Sequence, residues 1–153
     1  MDPIKKSLTV PLTPAESFRL FTEGMGEWWP SETHSLSAAT GDLPARIEVE
    51  PRVGGQVLET LQDGRVMPWG RVTRWDEGRA FGVDWHVGRD EEEATDLLVV
   101  FSPVEAGTRV ELTHGGFDRL GEAATALQGN YETGWDHVLA RCYAGHCKMR
   151  VTA

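Results

Sequence analysis

Residues 112–139 read LTHGGFDRLGEAATALQGNYETGWDHVL, and this stretch decides the fold. A β-strand ends at Gly115-Gly116 and the chain runs directly into a helix. Leu120, Ala124, Leu127, Tyr131, Trp135, Val138 and Cys142 recur at steps of three and four, which places them on one helical face. Charged or small residues fill the remaining positions. The spacing predicts one helix over 118–147. Gly121, Gly129 and Gly134 weaken it by about 1 kcal/mol each relative to Ala, so a kink is expected near Gly129 or Gly134. A single long helix that follows a series of strands must lay its apolar stripe on the sheet they form. Tyr131 and Trp135 on that stripe predict that the helix closes a cavity as well as a core.

Upstream of this stretch the pattern has a period of two. Residues 108–114 alternate, with Val110, Leu112 and His114 on one face. Residues 95–101 are more uniformly apolar, which predicts burial on both faces. Phe81, Val83, Trp85 and Val87 alternate against Gly82, Asp84, His86 and Gly88, so Asp84 and His86 are expected to face solvent. Residues 65–75 form a long strand, and Pro68 in its middle implies an edge position or a bulge and leaves the facing of Trp69 open. Asp63-Gly64 is a hairpin signal, and residues 56–61 and 45–50 are further strands. Val53-Gly54-Gly55 leads into a strand and not a helix, so it lacks the helix N-terminus that binds phosphate. Residues 31–43 are the longest polar loop. Ahead of it lie a short helix over 25–29, stopped by Pro30, and a helix over 14–22. Thr13 caps the latter, with Pro14 at its first position and Glu16 three residues after the cap. The first strand is Ile4–Val10.

The order is strand, two short helices, six strands joined by short turns, then one helix. It predicts an α+β domain whose curved seven-stranded antiparallel sheet wraps a C-terminal helix. A helix of about 28 residues would run 42 Å at 1.5 Å per residue. Doubly wound α/β folds need alternating strands and helices and are excluded.

The chain has 153 residues, enough for one domain over 1–153, and a formal net charge of −9. That charge argues against nucleic acid, where Lys and Arg neutralise phosphate, and against an anionic membrane surface. The N-terminus MDPIKKSLTV has no apolar core of a signal peptide, and no apolar run approaches the ~18 residues needed to span a bilayer. The two cysteines, Cys142 and Cys147, sit late in the terminal helix. A cytoplasmic protein with reduced thiols is expected.

The element order, together with SLTVPLTPAESFRLFTEGMGEWWP, RVGGQVLE, WGRVTRW and GTRVELTHGGF followed by GW, resembles the activator of heat-shock-protein-90 ATPase homologue family. That family lies in the START-like (SRPBCC) superfamily of helix-grip folds, and the resemblance covers nearly the whole chain. It implies a sheet that grips the terminal helix, with a hydrophobic cavity between them. Relatives bind lipids, hormones or polyketides, and a few catalyse cyclisation or hydrolysis. The activator that names the family is a two-domain protein, and this chain is long enough for only one of them. A chaperone contact is therefore weakly implied, and a homodimer stays open.

An apolar or aromatic small molecule is the expected partner, with no nucleic acid and no membrane. The expected ligand-binding residues are Trp28 and Trp29 at the cavity mouth, Trp69, Phe81, Trp85, Val99, Leu112 and His114 on the sheet, and Leu127, Tyr131 and Trp135 on the helix. His114 shares the inward parity of Val110 and Leu112, as a structural histidine bonded at the Gly115-Gly116 turn or as a polar group of the pocket. Glu59 faces inward if its strand buries Val57 and Leu61, and would then need a partner such as Arg71. A polyketide cyclase-like or hydrolase-like enzyme would use His114, Tyr131 or Glu59 in the same cavity. Cys142 and His146 share a helix face, but Cys147 points elsewhere and no fourth ligand is evident, so no metal and no cofactor are expected. No nucleophile and base have the spacing of a catalytic pair.

Overall fold

Alternation of apolar and polar side chains along the strands is what builds the sheet. The computed structural model describes residues 1–152. Seven antiparallel strands lie in the order β1-β7-β6-β5-β4-β3-β2. They are β1 Ile4–Val10, β2 Arg46–Val49, β3 Gln56–Thr60, β4 Val66–Asp76, β5 Ala80–Trp85, β6 Thr95–Val104 and β7 Gly107–Gly115. Every neighbour except β1 follows in sequence, as hairpins dictate. The first strand closes the far edge on β7, with Ile4 opposite His114 and Val10 opposite Thr108.

Two short helices, α1 Pro14–Phe21 and α2 Met25–Trp28, follow β1. The Thr13 side chain accepts from Glu16 N and the Glu16 side chain accepts from Thr13 N, so the capping box forms, an arrangement worth about 1 kcal/mol. Helix α1 buries Phe18 and Phe21 against the sheet, with Phe18 5.0 Å from Trp75 and 5.5 Å from Phe101 between ring centroids.

Pro68 proves to mark a bulge. The β3–β4 register shifts between Val57 and Leu58, while pairing of β4 with β5 begins only at Gly70. Pro68 therefore lies where β4 is unpaired on the β5 side, which removes the cost of its missing N–H. The bulge turns Trp69 inward, where it is fully buried. Strand β6 is not buried on both faces as expected. Thr95, Leu97, Val99 and Phe101 are buried while Asp96 is exposed and Leu98 and Val100 are half-buried, because helices cover only the concave face of the sheet.

The terminal helix differs from a single regular rod. Residues Phe117–Ala123 form a 3-10 segment broken at Gly121, whose φ of 60° and ψ of −125° are non-helical. Only glycine adopts that backbone without strain. Helix α3, Ala124–Trp135, then passes through Gly129 and Gly134. A π-helical stretch, Asp136–Tyr143, follows directly and leads into α4, Ala144–Thr152. The break thus falls at Gly121 and the irregularity past Gly134 is a widened turn. The π stretch, with its i→i+5 bonds, changes which residues face the sheet. Trp135, Leu139, Tyr143 and Cys147 are buried at steps of four, whereas Cys142 is only half-buried. Among the described residues no helix is long and apolar enough to cross a membrane.

Candidate functional site

Where α3 passes the end of β5, it stands off the sheet and leaves a cleft of about 330 Å³. Trp29, Trp85 and Trp135 form its floor, Leu127, Asn130, Tyr131, Gly134 and Val138 its helical wall, and Thr33, His34, Ser35 and Val87 its mouth. The three indoles belong to one cluster with Trp69. Ring centroids lie 5.1 Å apart for Trp29–Trp69, 5.8 Å for Trp69–Trp85 and for Trp29–Trp85, and 6.2 Å for Trp85–Trp135.

Polar links hold this aromatic floor in place. The His114 ring is fully buried behind Trp135 and Tyr131. Its Nδ1 accepts from the Trp135 Nε1–H at 3.0 Å. An indole nitrogen only donates, so the proton of His114 sits on Nε2. That nitrogen donates to Thr95 Oγ1 at 2.6 Å, and Thr95 Oγ1 in turn donates to the Trp85 carbonyl at 3.1 Å. One relay thus joins helix, β7, β6 and β5. Burial pushes the His114 pKa down to about 3, with the Arg89 charge as the second cause and Asp96 opposing. The imidazole is neutral and both its nitrogens are bonded.

A second anchor holds the loop that carries the mouth. The Glu59 carboxylate is fully buried. Oε1 accepts from Leu36 N at 2.8 Å and from Trp69 Nε1 at 3.0 Å, and Oε2 accepts from Ser37 N at 2.8 Å and Ser37 Oγ at 2.6 Å. Arg71 is not its partner: it donates to the Gly54 carbonyl on the outer face. Four N–H and O–H donors replace the expected cation, and a carboxylate can accept all four. The Trp29 indole donates to the His34 carbonyl at 2.7 Å and pins the loop over the cleft.

At the mouth, His34 Nδ1 lies 2.6 Å from Thr33 Oγ1. The His34 ring stacks on His137 at 5.6 Å and 26°. Burial first, and then the neighbouring His137, lower the His34 pKa, with Glu32 opposing. His137 Nε2 is 3.6 Å from Cys142 Sγ. Among the described residues no group of three or more His, Cys, Asp or Glu is placed to hold a metal ion.

Of the residues expected at a ligand, Trp29, Trp85, Leu127, Tyr131 and Trp135 line the cleft. Trp69 and His114 lie one layer behind it. Phe81, Val99 and Leu112 are buried at the sheet centre and do not line it. Trp28 is core as well: its indole donates to the Leu20 carbonyl at 2.9 Å, and its ring packs 5.0 Å from Tyr143. His86 is buried and not solvent-facing, since β5 ends at Trp85 and strand parity no longer governs it. Thr33, His34, Asn130 and Gly134 had no periodic signal.

Comparisons with known proteins identify the family and the fold. A model of the family described as activator of Hsp90 ATPase homolog 1-like protein matches residues 11–143. The chain belongs to that family. No curated protein matches the sequence significantly. Among solved structures, an anthrahydroquino-gamma-pyrone synthase, Txn09, solved in complex with SUM, is 30% identical over 83% of this chain and 84% of its own, with a TM-score of 0.59. The protein MLL2253 from Mesorhizobium loti shares the fold at a TM-score of 0.68, with 14% identity and 97% of both chains covered. The Aha1 dimer from Colwellia psychrerythraea gives 0.54 at 16% identity, covering 90% of this chain and 96% of that one. The helix-grip architecture of this activator-homologue family is thus common to all three.

Proposed function

We propose that this protein binds an apolar or aromatic small molecule in the cleft between α3 and the end of β5. The supporting observation is the floor of three indoles facing an opening of about 330 Å³, within the range of small-molecule sites. Indoles offer flat apolar faces that stack on planar rings. Polar side chains come from Thr33, His34, Ser35, Asn130 and Tyr131. Titration with polycyclic aromatic probes tests this directly. Saturable quenching of tryptophan fluorescence is expected, and no saturable binding by any probe would refute the proposal.

An enzyme is the second reading, and the likeness to the anthrahydroquino-gamma-pyrone synthase favours it. Its reaction class would be ring closure on a polyketide-like substrate held by the same indoles. His34 would then be the proton-transfer group, since its lowered pKa leaves a neutral imidazole at neutral pH. Conversion of a linear aromatic polyketone, followed by mass spectrometry and lost in His34→Gln, separates catalysis from binding alone.

A further inference from the structure

Three buried side-chain nitrogen or oxygen atoms lack a hydrogen-bond partner among the described residues: Thr60 Oγ1, and Nε and Nη1 of Arg89. Arg89 sits in the turn after β5. Its Nη2 donates to the Trp85 carbonyl at 2.9 Å, and its guanidinium carbon is 6.0 Å from the centroid of the Tyr131 ring. No ion pair holds it among the described residues. A guanidinium kept only for structure would pair its remaining N–H groups or leave them in water, because a buried unpaired cation is costly. Here Nε and Nη1 have neither.

The cation bears on the cleft through Tyr131. The guanidinium stands over the Tyr131 ring, with its carbon 6.0 Å from the centroid, so its charge lies beside a group of the cleft wall. Tyr131 lines the cleft, and its hydroxyl can donate to an acceptor placed there. The net charge of −9 disfavours anions over the molecule as a whole, which makes a lone inward cation the more specific.

Building on the ligand-binding cleft proposed above, we infer that it selects an aromatic ligand carrying an anionic oxygen, a carboxylate or a phenolate, bound by the Tyr131 hydroxyl with the Arg89 charge behind it. The rings of such a ligand lie among Trp29, Trp85 and Trp135. Arg89 is a positioning residue that acts through Tyr131.

The test uses two isosteric probes at neutral pH, 2-naphthoate and uncharged 2-naphthamide, followed by tryptophan fluorescence. A charge-assisted hydrogen bond corresponds to about tenfold or more in affinity, so naphthoate is expected to bind at least that much tighter. Arg89→Met should remove the preference while leaving naphthamide binding intact, and Arg89→Lys should restore part of it. Tyr131→Phe keeps the ring and should also lose the preference, so the test does not depend on Arg89→Met folding. Naphthamide binding as tightly as naphthoate, or Arg89→Met weakening both probes alike, would overturn the inference while leaving the cleft a ligand site. Failure of both probes to bind would overturn the cleft itself and this inference with it.

Discussion

Helix α3 and the helical residues beyond it form one continuous helix, yet they meet the sheet differently. Residues 124–135 bury only Ala124 and Trp135, and leave Leu127 and Tyr131 half-buried along the cleft. Residues 136–152 sink Val138, Leu139, Tyr143, Ala144 and Cys147 into the core. The Tyr143 hydroxyl even reaches the Ser17 carbonyl of α1 at 2.7 Å. Side-chain size accounts for the contrast. Asn130 and Gly134 stand on the cleft side of α3, where the later segment places Leu139 and Tyr143. The opening is written into the small residues of one half, and the hold on the core into the large residues of the other.

The largest expected effect comes from attacking the tight half. Tyr143→Ala should destabilise by about 3–5 kcal/mol, as for other fully buried aromatics, while Leu127→Ala should fall below the roughly 2 kcal/mol lower bound for buried leucines. Urea denaturation measures both, and equal losses would erase the distinction between the halves.

Acid probes the junction at Trp135. The folded pKa of His114 is about 3, against an ordinary value of 6.5. Between those values the unfolded chain binds a proton that the folded chain refuses, so stability rises with pH across this window and is lost as pH falls through it. The loss is on the order of a few kcal/mol. His114→Gln should flatten the dependence. A wild-type stability that does not change between pH 6.5 and 3 would mean that the imidazole is not buried neutral.

Glu59→Gln tests the loop over the loose half. The amide turns an NH₂ donor toward donors at Leu36, Ser37 and Trp69, with an expected cost of about 1.5–3 kcal/mol. Hydrogen exchange at the Leu36 and Ser37 amides should accelerate more than exchange in β7. Uniform acceleration would show that the loop and core open together.

The smallest effect should be a gain. A Cβ at Gly134 would touch nothing within 4 Å, so Gly134→Ala should stabilise α3 by about 0.5–1 kcal/mol. Thermal denaturation checks it, and a destabilised variant would show that the helix is not free on the cleft side. A bulky residue at the same position should block probe binding without unfolding the protein.

How much of this was legible in the sequence depends on period. The strands announced themselves by alternation, and Tyr131 and Trp135 by helical spacing, because one face of each element is buried and the other is wet. The capping box at Thr13 and the bulge at Pro68 followed from local backbone chemistry. What was hidden lies where period fails. His86 and Arg89 sit just past a strand end, where parity lapses. His34 and Thr33 lie in a loop held by a carboxylate 25 positions downstream of His34, and no local pattern reports such a contact. Tyr143 was missed because a regular helix turns Cys142 inward instead, and the wider π turn replaces it.

That wider turn has a consequence for insertions and deletions. Each residue of a regular helix advances by roughly 100°. The π stretch accommodates one residue more than plain α-helical winding would over the same turns, so deleting one position between Trp135 and Tyr143 and restoring that winding would leave everything downstream on its present face. Restoring that winding at full length would instead turn Cys142 inward and Tyr143 out of the core. The length and the winding of this segment are thus constrained together. A one-residue gap placed here when related chains are aligned is an exchange of π for α winding, and the contact of Tyr143 with Ser17 is where the kept face should first be sought.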